Sequence, residues 1–100
     1  KIISPYMEKV FYIKQDKKKL VPGIVHFDET TRIQTVNVKQ NKLYYNLIKC
    51  FYKKTGIPIV LNTSFNINNE PMVETPEDAI RTFFSSGSDI LYMGSFKITK

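Results

Sequence analysis

The chain has 100 residues, 42% hydrophobic and 13% aromatic, and a formal charge of +6. That length allows one small domain with a modest core, and that apolar content excludes a disordered chain. No apolar run approaches the roughly 20 residues of a membrane span, and no signal-peptide pattern opens the sequence, so the reading is a cytoplasmic protein with no membrane partner. Because it begins at Lys1 rather than Met, it also reads as a piece cut from a longer product.

The charge is uneven. Residues 1–20 carry Lys1, Lys9, Lys14, Lys17, Lys18 and Lys19 against Glu8 and Asp16. A run such as Lys17-Lys18-Lys19 is usually a solvated turn. Sequence-specific nucleic-acid readout leans on arginine, and only Arg32 and Arg81 are present, so nucleic acid is not the expected partner. Cys50 is the single cysteine and His26 the single histidine. No internal disulfide is possible, and no metal site of the usual ligand count is expected within the chain.

Taken in order, Tyr6 to Ile13 reads as a strand and Gln15 to Lys19 as a polar connection. Pro22-Gly23 punctuates, Ile24–Phe27 begins a second strand, and Asp28-Glu29-Thr30-Thr31 turns into Arg32–Val38. The expected hairpin pairs 24–27 with 32–36. Asn41 is a cap for a helix whose apolar residues Leu43, Tyr44, Leu47, Ile48 and Phe51 form one stripe. Thr55-Gly56 stops that helix, and Pro58 prevents re-entry. Ile57–Leu61 is short and β-branched, which predicts a buried central strand opening into the polar loop Asn62-Thr63-Ser64-Phe65-Asn66. A turn at Asn68–Pro71 and an extended pair, Met72-Val73, follow. Thr75-Pro76-Glu77-Asp78 then starts a second helix, with Thr as cap, Pro at the first helical position and two acids at the positive end of the dipole. Ile90–Met93 is the last predicted strand, before Gly94 and a frayed basic tail. The order predicts an α+β fold: a mixed β-sheet of about five strands with two helices packed on it.

Three groups are candidates to converge at the end of the central strand: Arg32 with His26, the loop residues Asn62, Ser64 and Asn66, and Glu70. A guanidinium fork with small neutral donors suits a phosphate or carboxylate. There is no glycine-rich phosphate loop and no Ser-His-Asp pattern. The simpler alternatives are a salt bridge from Arg32 to Asp28 or Glu29, turn and helix-end duties for the acids, and pairing of Arg81 with Glu77 or Asp78. On residues alone the reading stops at a small α+β domain with an anion site as one option.

Several motifs nonetheless occur together: Ser4-Pro5-Tyr6-Met7; Val25–Asp28 with Thr31-Arg32-Ile33-Gln34-Thr35-Val36; Thr55–Pro58 with Leu61–Asn66; and Glu70–Val73 with Thr75–Ala79. In this order and spacing the chain resembles the C-terminal, YrdC-like domain of the NodU/CmcH-type O-carbamoyltransferases, as the latter portion of that domain. Thr63-Ser64-Phe65-Asn66 also resembles the Thr-Ser-Ala-Asn signature of YrdC-like nucleotide-binding domains. The resemblance implies that ATP and carbamoyl phosphate are substrates, giving carbamoyl adenylate with release of pyrophosphate. It implies transfer of the carbamoyl group to a hydroxyl of a sugar or antibiotic-like small-molecule acceptor. The implied partner is an N-terminal actin/sugar-kinase-like domain of the parent protein, where the metal is expected. By motif matching, Arg32 and Ser64 are the expected catalytic residues, and Arg32, Asn62, Ser64, Asn66 and His26 the expected substrate- and nucleotide-binding set. The isolated chain is expected to be inactive. Asp28-Glu29-Thr30 departs from the family's Asp-Gly-Thr, and Asn69 stands where glycine is usual. The competing readings are a non-catalytic nucleotide- or RNA-binding module and a purely structural packing segment.

Overall fold

In the computed structural model, which describes residues 2–100, the backbone divides into two units, Lys1–Leu61 and Asn62–Lys100. Its regular elements are four strands in two separate two-stranded antiparallel sheets, three α-helices and one 3-10 turn. The fold is thus α+β, but the expected mixed sheet of about five strands is replaced by two hairpin-sized sheets.

In the first unit, β1 (Val10–Tyr12) pairs with β2 (Thr30–Arg32) in the register Val10↔Arg32, Phe11↔Thr31, Tyr12↔Thr30. This corrects the expected hairpin of 24–27 with 32–36. Residues Pro22–Ile24 form a 3-10 turn, and the amides of Ile24 and Val25 bond back to the carbonyls of Val21 and Pro22. Donors used locally in this way are not offered to a ladder. The chain then reverses at His26–Thr30. There the Glu29 amide donates to His26 O (2.9 Å), the His26 amide donates to Thr30 O (2.8 Å), and Asp28 Oδ1 accepts from both the amide and the hydroxyl of Thr30. Glu29 sits in the left-handed region at φ 66°, so the position that resembles a family glycine keeps a glycine-like conformation with a glutamate in it. Gln15–Lys18, expected as a plain connection, is a four-residue helix, α1, with no side-chain cap.

Ser4 ties the start of the chain to the strand after β2. It is fully buried. Its amide donates to Thr35 Oγ1 (2.9 Å), its carbonyl accepts from the Thr35 amide (2.6 Å), and its hydroxyl lies within reach of the carbonyls of Tyr6 and Ile33. A small donor–acceptor side chain suits this position because every polar group there is removed from water.

Helix α2 (Lys42–Thr55) starts where the sequence predicts, with Asn41 Oδ1 accepting from the Tyr44 amide (3.0 Å). It ends at Gly56, whose φ of 75° lets its amide reach Tyr52 O (2.8 Å). None of its residues is buried. The following run, Ile57–Leu61, is not a strand: it joins no ladder, and Ile59 and Leu61 are exposed. β-branched composition favours a pleated surface only when neighbours exist to form one. This unit's two strands are committed to each other.

In the second unit, α3 (Pro76–Ser85) opens on the predicted signal, which proves to be a complete capping box. Thr75 Oγ1 accepts from the Asp78 amide (3.1 Å), and Asp78 Oδ2 accepts from the Thr75 amide (3.2 Å). The stripe buries Ala79, Thr82 and Phe83 and packs against β3 (Ile90–Met93). The tail is not frayed: Phe96–Thr99 is a fourth strand, β4, in the register Ile90↔Thr99 through Met93↔Phe96, turning at Gly94 with φ 58°. Phe83 is wholly buried, edge-on to Phe84 at 5.2 Å, with Lys100 Nζ 5.3 Å from its ring centroid.

Candidate functional site

The residues singled out by the sequence fall into two sets, one in each unit. Arg32 and His26 belong to the first; Asn62, Ser64, Asn66 and Glu70 belong to the second.

Arg32 is the last residue of β2 and is exposed. The salt bridge that would have made it purely structural is absent among the described residues. Asp28 spends its carboxylate on Thr30, at 2.6 Å to the hydroxyl and 3.1 Å to the amide. These bonds, the hydroxyl's first, hold its carboxyl below the ordinary range, with His26 nearby as a minor contributor. Glu29 pairs instead with Lys18, whose Nζ, shielded from water and without a well-aligned hydrogen bond, lies 2.6 Å from Oε1. That lysine is the main cause of the lowered Glu29 carboxyl. With both local acids committed elsewhere, neither of them neutralises the Arg32 guanidinium.

His26 has a different place. Its backbone closes the turn, and its Nδ1 lies 3.3 Å from Thr30 Oγ1, so its ring helps to fix the hydroxyl that Asp28 also grips. These contacts give His26 a part in holding the turn.

In the second unit the loop after Leu61 is held by a few bonds. The Val73 amide donates to Phe65 O (2.9 Å), and the Glu70 amide donates to Ile67 O (3.0 Å) across a turn in which Asn69 takes a left-handed φ of 69°. Asn66 Nδ2 donates to the carbonyls of Ile67 and Glu70 at 3.2 and 3.1 Å. Asn66 therefore shapes the loop from inside, and Glu70 contributes its backbone to that arrangement. Ser64 is exposed, and its hydroxyl has no hydrogen-bond partner among the described residues, while Thr63 turns its own hydroxyl back to Ser64 O (3.4 Å). Asn62 is also exposed. The loop thus presents a serine hydroxyl on a stapled backbone, a suitable donor for an oxyanion.

The first unit also contains a cavity of about 360 Å³ that the sequence reading did not anticipate. Two tyrosines, Tyr6 and Tyr44, and three carboxamides, Gln34, Gln40 and Asn41, are among its walls, and none of its lining residues is charged. Arg32 and His26 are not on its wall. The one available signal is local: Gln34 lies two residues from Arg32, and Tyr44 is the residue whose amide Asn41 caps. The described residues include no group of three or more His, Cys, Asp or Glu able to hold a metal ion, and no helix long and apolar enough to cross a membrane.

Comparison with known proteins gives this arrangement its context. The model of the family described as "Carbamoyltransferase C-terminus" matches residues 1–100. The chain is 43% identical over 97 residues to protein MJ1051 of Methanocaldococcus jannaschii, covering 97% of this chain and 19% of that protein. It is 43% identical over 96 residues to the nodulation protein NolNO of Sinorhizobium fredii, covering 96% of this chain and 14% of that protein. It is 26% identical over 91 residues to the 3'-hydroxymethylcephem-O-carbamoyltransferase of Amycolatopsis lactamdurans, covering 91% and 17%. The chain therefore spans less than a fifth of the length of these curated relatives. With its whole length matched by the family model, the chain belongs to the carbamoyltransferase C-terminus family.

Proposed function

We propose that this sequence forms part of an O-carbamoyltransferase and contributes groups that hold ATP, carbamoyl phosphate or the carbamoyl adenylate made from them, for transfer to a hydroxyl of a sugar or antibiotic-like acceptor. The observation that carries the reading is the family match over residues 1–100, together with a relative whose name states an O-carbamoyl transfer. The geometry supports it within each unit: Arg32 has a guanidinium that no local carboxylate neutralises, and Ser64 has an unengaged hydroxyl on a fixed loop. A fixed positive fork and a neutral donor are what a phosphoryl or carbamoyl-phosphate oxygen needs, since charge-assisted bonds hold the anion and the hydroxyl orients it. Asn62 joins them as a binding residue. Asn66 and His26 act through the loop and turn that they brace. Carbamoyl transfer further requires an acceptor-binding, metal-holding domain of the actin/sugar-kinase type in the same polypeptide, so the 100 residues alone do not turn over.

The test is steady-state carbamoyl transfer by the longer carbamoyltransferase that carries this sequence, with ATP and carbamoyl phosphate as co-substrates. Arg32→Ala is expected to lower kcat/KM roughly 10- to 100-fold, the loss of one charge-assisted contact, and Ser64→Ala about 10-fold. Unchanged turnover in both variants would reject the assignment.

A further inference from the structure

Holding the turn engages only one of the two ring nitrogens of His26, and the bonds around Thr30 decide which form the ring takes. Thr30 is buried, and its hydroxyl oxygen lies 2.6 Å from Asp28 Oδ1 and 3.3 Å from His26 Nδ1. A hydroxyl has one proton to give, and the carboxylate is the nearer and stronger acceptor. Thr30 Oγ1 therefore donates to Asp28 and accepts from His26, so Nδ1 carries the proton of the neutral ring. Nε2 is left as a lone-pair acceptor on an exposed residue, and it makes no hydrogen bond among the described residues.

The strand that fixes this form of the ring also carries Arg32. Thr30 and Arg32 are alternate residues of β2, so their side chains leave one face of the strand about 7 Å apart. Arginine can only donate hydrogen bonds. A ligand gripped by the guanidinium alone is held by its oxygens, whatever else it carries. A carbamoyl group differs from an acetyl group in presenting an amino group, with two N–H donors, where acetyl presents a methyl. Reading that difference takes an acceptor. Nε2 is one, and it is uncharged, which suits a ligand whose other end is a phosphoryl anion; a carboxylate in its place would repel that anion.

We propose that His26 Nε2 accepts a hydrogen bond from the amino group of the carbamoyl ligand held by Arg32, and so selects carbamoyl over acetyl phosphate. The inference rests on the carbamoyltransferase reading above and adds the feature of the ligand that Arg32 and Ser64, as donors, do not read. Asp28 and Thr30 act as positioning residues, since they set the tautomer of the ring.

The test is isothermal titration calorimetry of the longer carbamoyltransferase that carries this sequence, with carbamoyl phosphate and with acetyl phosphate as probes. The native protein is expected to bind carbamoyl phosphate about 10-fold more tightly, the worth of one hydrogen bond to a group that is otherwise left unpaired. In His26→Phe, which keeps a ring without the acceptor, that preference should fall to about 2-fold or less through weaker carbamoyl phosphate binding, with acetyl phosphate unchanged. His26→Gln, which offers an amide oxygen, should restore part of the preference. Thr30→Val, which keeps the shape and removes the hydroxyl, should reduce it. Equal weakening of both probes in His26→Phe would overturn the proposal, since His26 would then only hold the turn. A preference unchanged in His26→Phe, or no preference in the native protein, would overturn it as well. The titration reads binding and not turnover. The expected preference in a protein that transfers no carbamoyl group would count against the proposed function and leave the role of His26 standing. Carbamoyl transfer with the preference unchanged in His26→Phe would do the reverse.

Discussion

Replacing Phe83 by alanine tests whether the second unit really depends on one aromatic anchor. Phe83 is fully buried, while its neighbour Phe84 is 55% exposed, and the two rings meet edge-on at 5.2 Å. Emptying a buried phenylalanine site costs about 3–5 kcal/mol, from lost transfer energy and the cavity left behind. The same truncation at Phe84 removes only a partly buried ring, so about 1 kcal/mol is expected from its area. Small domains have only about 5–15 kcal/mol of stability, and beside Phe83 the buried apolar side chains number only one, Ala79, among the described residues. Phe83→Ala should therefore remove a large part of the cooperative transition, whereas Phe83→Leu, closer in volume, should retain most of it. Urea titration of the 100-residue chain, followed by far-UV circular dichroism, gives the comparison. If Phe84→Ala cost as much as Phe83→Ala, the packing assigned to α3 on β3 would be wrong.

Three further outcomes are expected from the same titration. Thr75→Ala removes the cap of α3 and should cost about 1 kcal/mol, with Thr75→Ser restoring most of it. Gly56→Ala should cost about 1 kcal/mol by forcing a Cβ into a left-handed backbone, since open space around the site leaves no steric term to add. Asp78 is held below its ordinary value of 3.8 chiefly by its hydrogen bonds to the Thr75 hydroxyl and amide, with Arg81 a smaller cause. Below that value the unfolded chain takes up protons before the folded one does. The contribution is thus complete above about pH 4 and is lost as pH falls through the depressed folded value. Asp28, held down by Thr30, follows the same sign. Urea midpoints measured between pH 7 and pH 2 should fall most steeply at the acid end, and Asp78→Asn should flatten part of that slope.

What the sequence disclosed was what neighbours a few residues apart determine. Asn41 and Gly56 bound α2, and Thr75 with Asp78 bounds α3, because caps are local bonds between side chains and adjacent amides. Strand pairing is not local. Val10–Tyr12 selects Thr30–Arg32 across some twenty residues, and the 3-10 turn at Pro22–Ile24 removes the nearer partner. Ile57–Leu61 shows the other limit, for strand propensity without a neighbour leaves an extended segment. The candidate site divides in the same way. The proposal of Arg32 and Ser64 rests on residue type and motif, which are local properties of the sequence. That Asp28 and Glu29 are bound elsewhere, and that His26 and Asn66 are braces, depended on turn geometry that residue types alone did not specify.

Glu29 carries a consequence for how this sequence can drift. Its left-handed backbone is easiest for glycine, yet its carboxylate holds both ends of α1, with Gln15 Nε2 3.3 Å from Oε2 and Lys18 Nζ 2.6 Å from Oε1. A four-residue helix without a side-chain cap cannot persist on its own propensity, so the turn and α1 are effectively one inherited module. A change to glycine at position 29 would relax the backbone while releasing the helix, and a change at Lys18 would leave the strained glutamate without its ion-pair partner. Substitutions at positions 15, 18 and 29 should therefore be epistatic, each tolerated only in the company of the others.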